Sequence, residues 1–342
     1  MSLTAQTDAA ATLASLTAPR APAFAALKDF LQAQVSVFPP EVQPLVVHTI
    51  GHSGKMLRPL LVFLAGGVED EAPPELIRAA AIVELVHLAT LVHDDVLDQA
   101  DTRHGTATLN ARYGADTTVL LGDALFAHAL KLAADFPTVE VCRWVAEATR
   151  IVCAGEIEQT FARGRTDFGV ADYWRMVDGK TGELFAVSAR LGAFLTGRGP
   201  DAAEAAHRFA RTLGAGYQLY DDAVDLLETT EKAGKTLGTD VAGGKMTLPL
   251  LMLRETLAAD AWSRIAAQLS EGVLSLEAIR TQLEVNAIWP RVAQEFADRL
   301  AQARLELAPF APAPWTTSLA QLADTLTSRA ENLLFLRNKT NV

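Results

Sequence analysis

The sequence is poor in the features that mark several protein classes. It has only two cysteines, Cys142 and Cys153, in 342 residues. Thiols 11 positions apart match no Cys-x-x-Cys spacing and build no disulfide framework. They read as small buried apolar residues, and a reducing cytoplasm is the simplest compartment. Basic residues are outnumbered, 30 Lys and Arg against 41 Asp and Glu, for a net charge of -11. A nucleic-acid-binding protein needs a basic face to displace phosphate counterions, so no nucleic-acid partner is expected. Long apolar runs are also missing. Nothing approaches the roughly 18 uninterrupted apolar residues of a membrane span, and the most apolar region, Leu45 to Val68, is broken by His48, His52, Lys55 and Arg58. No integral membrane segment is expected. Residues 1–22, rich in Ala, Thr and Ser, lack the basic-then-apolar order of a secretory signal and read as a mobile tail.

Alternating strand-like runs are scarce too, whereas helical spacing is nearly continuous. Ile82, Val83, Val86, Ala89 and Thr90 recur at i, i+3/i+4, i+7, and Leu121, Leu125, Ala129 and Leu132 do the same. Gly and Pro gather in short connections: Val37–Pro44, Gly66–Pro74, Gly197–Pro200, Gly234–Lys245 and Pro309–Trp315. Short connections between amphipathic helices describe an all-α bundle. The spacing predicts a terminal helix over Thr317–Arg337, and no linker divides residues 23–342, which read as one domain.

Two acidic clusters stand out, Asp94-Asp95-Val96-Leu97-Asp98 and Asp221-Asp222-Ala223-Val224-Asp225. On a helix, positions 94 and 98, like 221 and 225, lie one turn apart on nearly the same side. Like charges there cost roughly 0.2–0.5 kcal/mol per pair. A solvated acidic face would explain one such cluster. The apolar flanks Leu88-Ala89-Thr90-Leu91-Val92, Leu219 and Leu226-Leu227 argue against it, because carboxylates embedded among apolar residues must be paired or metal-bound. Magnesium suits them, since it takes one or two carboxylates and completes its shell with water and substrate phosphates. Several ions around one diphosphate would neutralise a leaving group and promote carbon–oxygen ionisation.

A diphosphate also needs cationic donors. Gly51-His52-Ser53-Gly54-Lys55-Met56-Leu57-Arg58-Pro59 carries Lys55 and Arg58 on a glycine-containing turn, and Arg offers a planar fork for phosphate oxygens. Arg103-His104-Gly105 follows the first cluster, and Lys180-Thr181-Gly182, Lys235 and Lys245 come later. Each alone reads as a solvated surface charge, and His87, a lone helical histidine, as a structural one. Their order along the chain gives them weight together.

That ordered set resembles the trans-isoprenyl diphosphate synthases, the polyprenyl synthetases, over nearly the whole chain from about residue 25. The matching segments are Ser53–Pro59, His87, Asp94–Asp98, Arg103-His104-Gly105, Gly122-Asp123, Gly155-Glu156 with Gln159, Lys180-Thr181-Gly182, Tyr217–Asp225, Gly234-Lys235 and Gly244–Pro249. The resemblance implies an all-α bundle around a deep central cavity, a homodimer, and magnesium as cofactor. It implies that Asp94, Asp98 and Asp221 bind magnesium, with Asp95 and Asp225 supporting and Asp222 in the catalytic set. The allylic diphosphate would be held also by Arg103, Lys180 and Lys235, with Lys245 a further substrate-binding lysine. Isopentenyl diphosphate would meet Lys55, Arg58, His87 and the residue at His104, while Thr181 and Gln218 lie near the developing allylic cation. His104 departs from the family's second arginine, which makes the isopentenyl site weaker or pH-sensitive; Ser53 and Met56 depart from the usual Gly and Arg.

The product tail would grow down the helix preceding the first cluster. Thr90 and Ala89, four and five positions before Asp94, are small, and Val86 is only medium-sized. Pocket volume then predicts a product longer than farnesyl diphosphate, hexaprenyl to decaprenyl. Two alternatives stand beside this reading. A class I terpene cyclase shares the first motif but mixes Asn, Ser or Thr with Glu in its second. A non-catalytic partner subunit would have lost an aspartate cluster.

Overall fold

The computed structural model describes residues 13–52, 54–103, 106–163, 165, 167–228, 238–270 and 275–335. Among these residues the chain is helical almost throughout, as the spacing predicts. The sole strand pairing among the described residues is a two-residue antiparallel ladder, β1 (Thr102–Arg103) on β2 (Thr106–Ala107), with Thr102 opposite Ala107. The helices that carry the argument are α1 (Ala21–Gln34), α2 (Gln43–Gly51), α3 (Leu57–Gly66), α4 (Pro74–Leu97), α5 (Leu109–Tyr113), α6 (Ala115–Ala134), α7 (Val139–Ala162), α8 (Val170–Val177), α9 (Glu183–Leu195) and α10 (Pro200–Leu227). A single π-helical turn, Asp178–Gly182, joins α8 to α9. Beyond α10 come α11 (Thr239–Ala242), α12 (Leu248–Thr256), α13 (Ala259–Ser270), α14 (Leu276–Val285), α15 (Ile288–Leu307) and α16 (Pro314–Phe335).

Helix α4 is the axis. Pro74 sits at its first turn, where no amide is needed, and the left-handed Gln99 lies just beyond its end. Between them, from Leu76 to Val92, apolar residues stand on every side of the helix, interrupted by Arg78, Glu84 and His87, and such a helix must be enclosed. It packs on α1, α3, α6 and α9. Helix α3 divides two apolar clusters: Leu60, Leu61 and Leu64 face the one built with α9, α10, α12, α15 and α16, while Val62 and Phe63 face the one built with α1, α4, α6 and α7. Each fully buried leucine contributes about 1.5–3 kcal/mol. The close crossing of α3 and α9 depends on Gly192, because a Cβ there would stand 2.2 Å from the Val62 carbonyl oxygen.

Three expectations change. Residues 13–17 are helical and Ala18–Arg20 form a 3₁₀ turn, so the stretch before residue 22 is not all tail. Leu16 is buried and the Arg20 guanidinium donates to the Leu16 carbonyl at 2.6 Å; Leu13, Leu16 and Phe24 supply a sparse apolar stripe within the Ala-rich composition. The cysteines are not buried: Cys142 is half-buried and Cys153 exposed, both on α7. The last helix starts at Pro314 rather than 317.

Helices α4 and α6 are long and apolar enough to cross a membrane by length and composition. The apolar stretch of α4 is 72% buried inside the fold, and that of α6 44%.

Candidate active site

Both aspartate clusters fall at helix C-termini, the first in the last turn of α4 and the second in the last two turns of α10. A helix C-terminus carries about half a negative charge, and neither helix has a basic residue in its last turn. Carboxylates there add to the dipole instead of offsetting it. Two such ends facing one region make a strongly negative rim.

One lysine shows that they do face one region. The Lys245 ammonium lies 3.4 Å from Asp98 Oδ2 and 3.1 Å from Asp240 Oδ1. The Asp240 amide in turn donates to Asp225 Oδ2 at 3.3 Å. The chain Asp98–Lys245–Asp240–Asp225 therefore links the end of α4 to the end of α10. Burial works to lower the Lys245 ammonium, but Asp240 and Asp98 outweigh it and hold it above its ordinary value.

The clusters are built differently. Asp95 is buried, Asp94 half-buried, and the Asp98 side chain 38% exposed. Asp98 also accepts from Arg163, at the C-terminal end of α7, at 2.9 Å. In the second cluster Asp222 and Asp225 are buried and Asp221 half-buried. Both Asp222 oxygens are committed, accepting from the Tyr173 hydroxyl at 2.7 Å and the Gln218 amide at 2.8 Å. Burial and the neighbouring Asp240 push the Asp222 carboxyl up to about 7 against those hydrogen bonds. The Gln218 carbonyl oxygen accepts from Thr181 Oγ1 at 2.8 Å. Tyr173, Asp222, Gln218 and Thr181 thus form one relay that fixes the π-turn against α10.

That turn also places Lys180. Its ammonium donates to Glu156 Oε2 at 2.8 Å and Gln159 Oε1 at 2.7 Å, both on α7. The approach is close because residue 155 is glycine; a Cβ there would meet the Lys180 amide nitrogen at 2.7 Å. Burial, then Asp94, pushes the Glu156 carboxyl up to about 7, while Lys180 pulls the other way. Asp94 thus shares a field with Glu156 and Lys180.

On the other side of the site, Lys55 is exposed ahead of α3, and His87 is half-buried on α4. Arg58, in the first turn of α3, is the sole residue of that helix outside the buried set. Its guanidinium nonetheless turns inward over the Phe185 ring, 5.0 Å from the centroid. Of the chain-length candidates, Val86 and Ala89 are fully buried in the α1/α4/α6 cluster. Thr90 is half-buried, its hydroxyl donating to the His87 carbonyl at 2.7 Å. At ~100° per residue, Thr90 stands ~40° from Asp94 around α4, whereas Ala89 is turned by ~140°. Arg103 lies on β1 by its backbone; its side chain, His104 and Lys235 lie outside the described residues.

Sequence reasoning did not single out Asp240, Arg163, Tyr173 or Glu84. Asp240 and Tyr173 act through partners far away in sequence, and nothing in their local context marks them. The π-turn at Lys180 likewise has no local signature, although such turns recur at functional sites.

No three His, Cys, Asp or Glu side chains among the described residues converge tightly enough to cage a metal ion by themselves. The carboxylates of Asp94, Asp98, Asp221 and Asp225 are hard oxygen donors of the kind magnesium and calcium take. A match to the polyprenyl synthetase family spans residues 39–280, most of the chain. The chain belongs to that family. Among curated relatives of this family member, octaprenyl diphosphate synthase of Escherichia coli is 32% identical over 307 residues, covering 87% of this chain and 92% of that one. Nonaprenyl diphosphate synthase of Mycobacterium tuberculosis is 32% identical over 288 residues, covering 83% and 85%. Among solved structures, a decaprenyl diphosphate synthase from Rhodobacter capsulatus superposes with a TM-score of 0.85 at 27% identity, over 93% of this chain and 99% of that one. A polyprenyl synthase from Caulobacter crescentus, complexed with calcium and isoprenyl diphosphate, gives 0.82 at 30% identity over 93% and 97%. The all-α isoprenoid synthase fold is therefore that of this family member too.

Proposed function

We propose that this chain is an all-trans polyprenyl diphosphate synthase, adding isopentenyl diphosphate head-to-tail to an allylic prenyl diphosphate. The observation that carries the reading is the Asp98–Lys245–Asp240–Asp225 chain, which sets two acidic helix ends on either side of one cationic bridge. Asp94, Asp98, Asp221 and Asp225 would hold magnesium, which when bound neutralises the allylic diphosphate as it leaves.

The protein's own groups do the positioning. Lys180, Lys245, Arg103 and Lys235 bind the allylic diphosphate. Lys55, Arg58, His87 and His104 bind isopentenyl diphosphate. Thr181 and Gln218, locked to one another, present oxygen atoms to the developing allylic charge, and Asp222 with Tyr173 keeps that pair in register. Extension ends when the tail fills the space beside α4. Small Ala89 and Thr90 and medium Val86 leave room there, and the long-chain names of the relatives agree with a hexaprenyl to decaprenyl product.

We read residues 23–342, together with the docked stretch 13–20, as one cytoplasmic domain that works as a homodimer. Helix α7 exposes Cys153, Ile157 and Phe161 at i, i+4, i+8, and α6, packed against it, exposes Val119 and Leu120. Such an apolar ridge needs cover, and a second copy supplies it. The half-exposed apolar stretch of α6 then belongs to that interface and not to a membrane.

The test is incubation of purified protein with farnesyl and isopentenyl diphosphates and magnesium, with chromatography of the dephosphorylated products. Linear polyprenols of six to ten units are expected (roughly, from pocket volume). A cyclic hydrocarbon, or no turnover without a second protein, overturns the reading.

A further inference from the structure

Beneath the site lies a buried carboxyl that the proposed reaction does not use. Glu84 is 1% exposed on α4, one turn below His87 and about 60° from it around the helix. Both of its carboxyl oxygens are buried without a hydrogen-bond partner. Across the α3–α4 contact sits Arg58, whose Nε is likewise buried without a partner. A carboxylate left unpaired in an apolar interior is costly to keep charged, and so is a lone guanidinium. Each is the leading charged influence on the other.

The remaining surroundings are mainly aromatic, and the charges beyond them, Asp221 of α10 and Arg329 of α16, act on Tyr217. Phe185 of α9 offers its ring face to Arg58. Tyr217 of α10 tilts against that ring, 5.7 Å between centroids, and also acts on Arg58. His87 stands one turn up α4. On the far side of α4, His128 of α6 is engaged with Gln34 of α1 at 3.1 Å. Lys55, ahead of α3, is exposed.

We propose that Glu84 is a positioning residue for Arg58, balancing the guanidinium while the isopentenyl diphosphate pocket is vacant and taking up a proton from solvent when diphosphate oxygens replace it. This rests on the reading of Arg58 as an isopentenyl diphosphate ligand. The step is a charge exchange: the carboxylate becomes a carboxylic acid, the incoming phosphate oxygens become the counter-charge of Arg58, and no other bond is made or broken. Without the exchange, the ionised carboxylate would repel the incoming diphosphate across Arg58.

The protonation energetics agree in direction. Burial pushes the Glu84 carboxyl up to about 7, with Arg58 drawing it down. Burial lowers the Arg58 guanidinium to about 10, with Glu84 and Tyr217 holding it up, so it stays cationic at neutral pH. A diphosphate beside Arg58 raises Glu84 further. Above pH about 7 the vacant site therefore holds an ionised Glu84 and the filled site a protonated one.

The experiment is calorimetric titration of the full-length protein with isopentenyl diphosphate and magnesium, with no allylic substrate, in two buffers of different ionisation enthalpy. Near pH 8 the wild type should take up about one proton more per site than Glu84→Gln. Glu84→Gln should bind several-fold more tightly than wild type at pH 8.5, and equally at pH 6, with Glu84→Asp restoring the proton uptake. Equal uptake in wild type and Glu84→Gln, or weaker binding by Glu84→Gln at every pH, overturns the proposal. Arg58→Gln separates the two claims. If it binds isopentenyl diphosphate as well as wild type, the ligand role of Arg58 fails first; if it binds worse while Glu84→Gln leaves proton uptake unchanged, only the role of Glu84 fails. A thermal melt of each variant confirms folding.

Discussion

The two aspartate clusters share a spacing and differ in almost everything else. The first ends α4 at a rim, with Asp98 held by two cations, Arg163 and Lys245, that come from other parts of the chain. The second is set into the core of α10, with Asp222 locked by Tyr173 and Gln218 and Asp225 receiving the Asp240 amide. Hydrogen bonds in a buried place fix geometry, whereas ion pairs at a surface fix little. The second cluster is thus a rigid half of the site, prepared in advance, and the first is a half whose cations can be exchanged. A site that must bind and release a diphosphate once per added unit needs one half that yields.

The sharpest way to break this contrast is to lengthen one carboxylate in each half by a methylene. Asp225 is 1% exposed and has no room for it, so Asp225→Glu forces the backbone or its neighbours to shift. We expect kcat to fall by about 10²–10³-fold, the scale of losing one positioned electrostatic contact. Asp98→Glu, at the open rim, should stay within about tenfold of wild type. Steady-state rates with farnesyl and isopentenyl diphosphates decide it; equal losses would mean that the halves are equally rigid.

The next effect is on stability without metal. Asp222→Ala strands the buried Tyr173 hydroxyl and one Gln218 amide proton, which costs about 1–3 kcal/mol. Asp222→Asn keeps an acceptor and removes a carboxyl that burial already disfavours, so its melting temperature should lie close to wild type. Denaturant melts in chelator compare the two. If Asn were as damaging as Ala, the charge of Asp222 and not its hydrogen bonding would hold the relay.

A third test concerns the wall beside the first cluster. Phe in place of Ala89 adds a ring to a fully buried position and overpacks it, at about 1–3 kcal/mol. Thr90→Phe, at a half-buried position nearer the Asp94 side of α4, should cost less. Both should shorten the product, seen as earlier-eluting polyprenols, with Thr90→Phe acting at the smaller stability loss. Unchanged chain length in both would place the floor of the tunnel elsewhere.

The same contrast explains what could be read from the sequence. Helices were legible because their apolar spacing is local, and the clusters because acids embedded in apolar helices are chemically odd. The partners were not. Arg163 meets Asp98 from 65 positions away, and Asp240 meets Asp225 across an intervening segment; neither pairing leaves a local trace. Glu84 lies in plain view among Ile82, Val83 and Val86, yet it takes the fold to show that it is buried opposite Arg58. Leu16 and Arg20 were hidden by composition, since a few apolar residues in an Ala- and Thr-rich stretch suffice to dock it. The exposed Cys153 was misjudged because average burial by residue type says nothing about which face of α7 is covered.

The smallest expected effect belongs to Arg163. It lies at the C-terminal end of α7, its side chain 32% exposed, and its contact with Asp98 is at the rim. Removing one partner of a pair so placed changes stability by less than about 1 kcal/mol. Lys245 remains on Asp98 at 3.4 Å, so Arg163→Ala does not strand the carboxylate. It does leave Asp98 with one competing cation fewer. Magnesium binding, measured by calorimetry without substrate, should therefore tighten by a few-fold, while the melting temperature in chelator moves by no more than a degree or two. The matching change in the rigid half, Tyr173→Phe, removes a hydrogen bond to Asp222 without touching a cation. It should leave metal affinity alone and lower stability instead. If Arg163→Ala destabilised the protein as much as Tyr173→Phe, the rim would be as fixed as the core and the division of labour between the two clusters would be wrong.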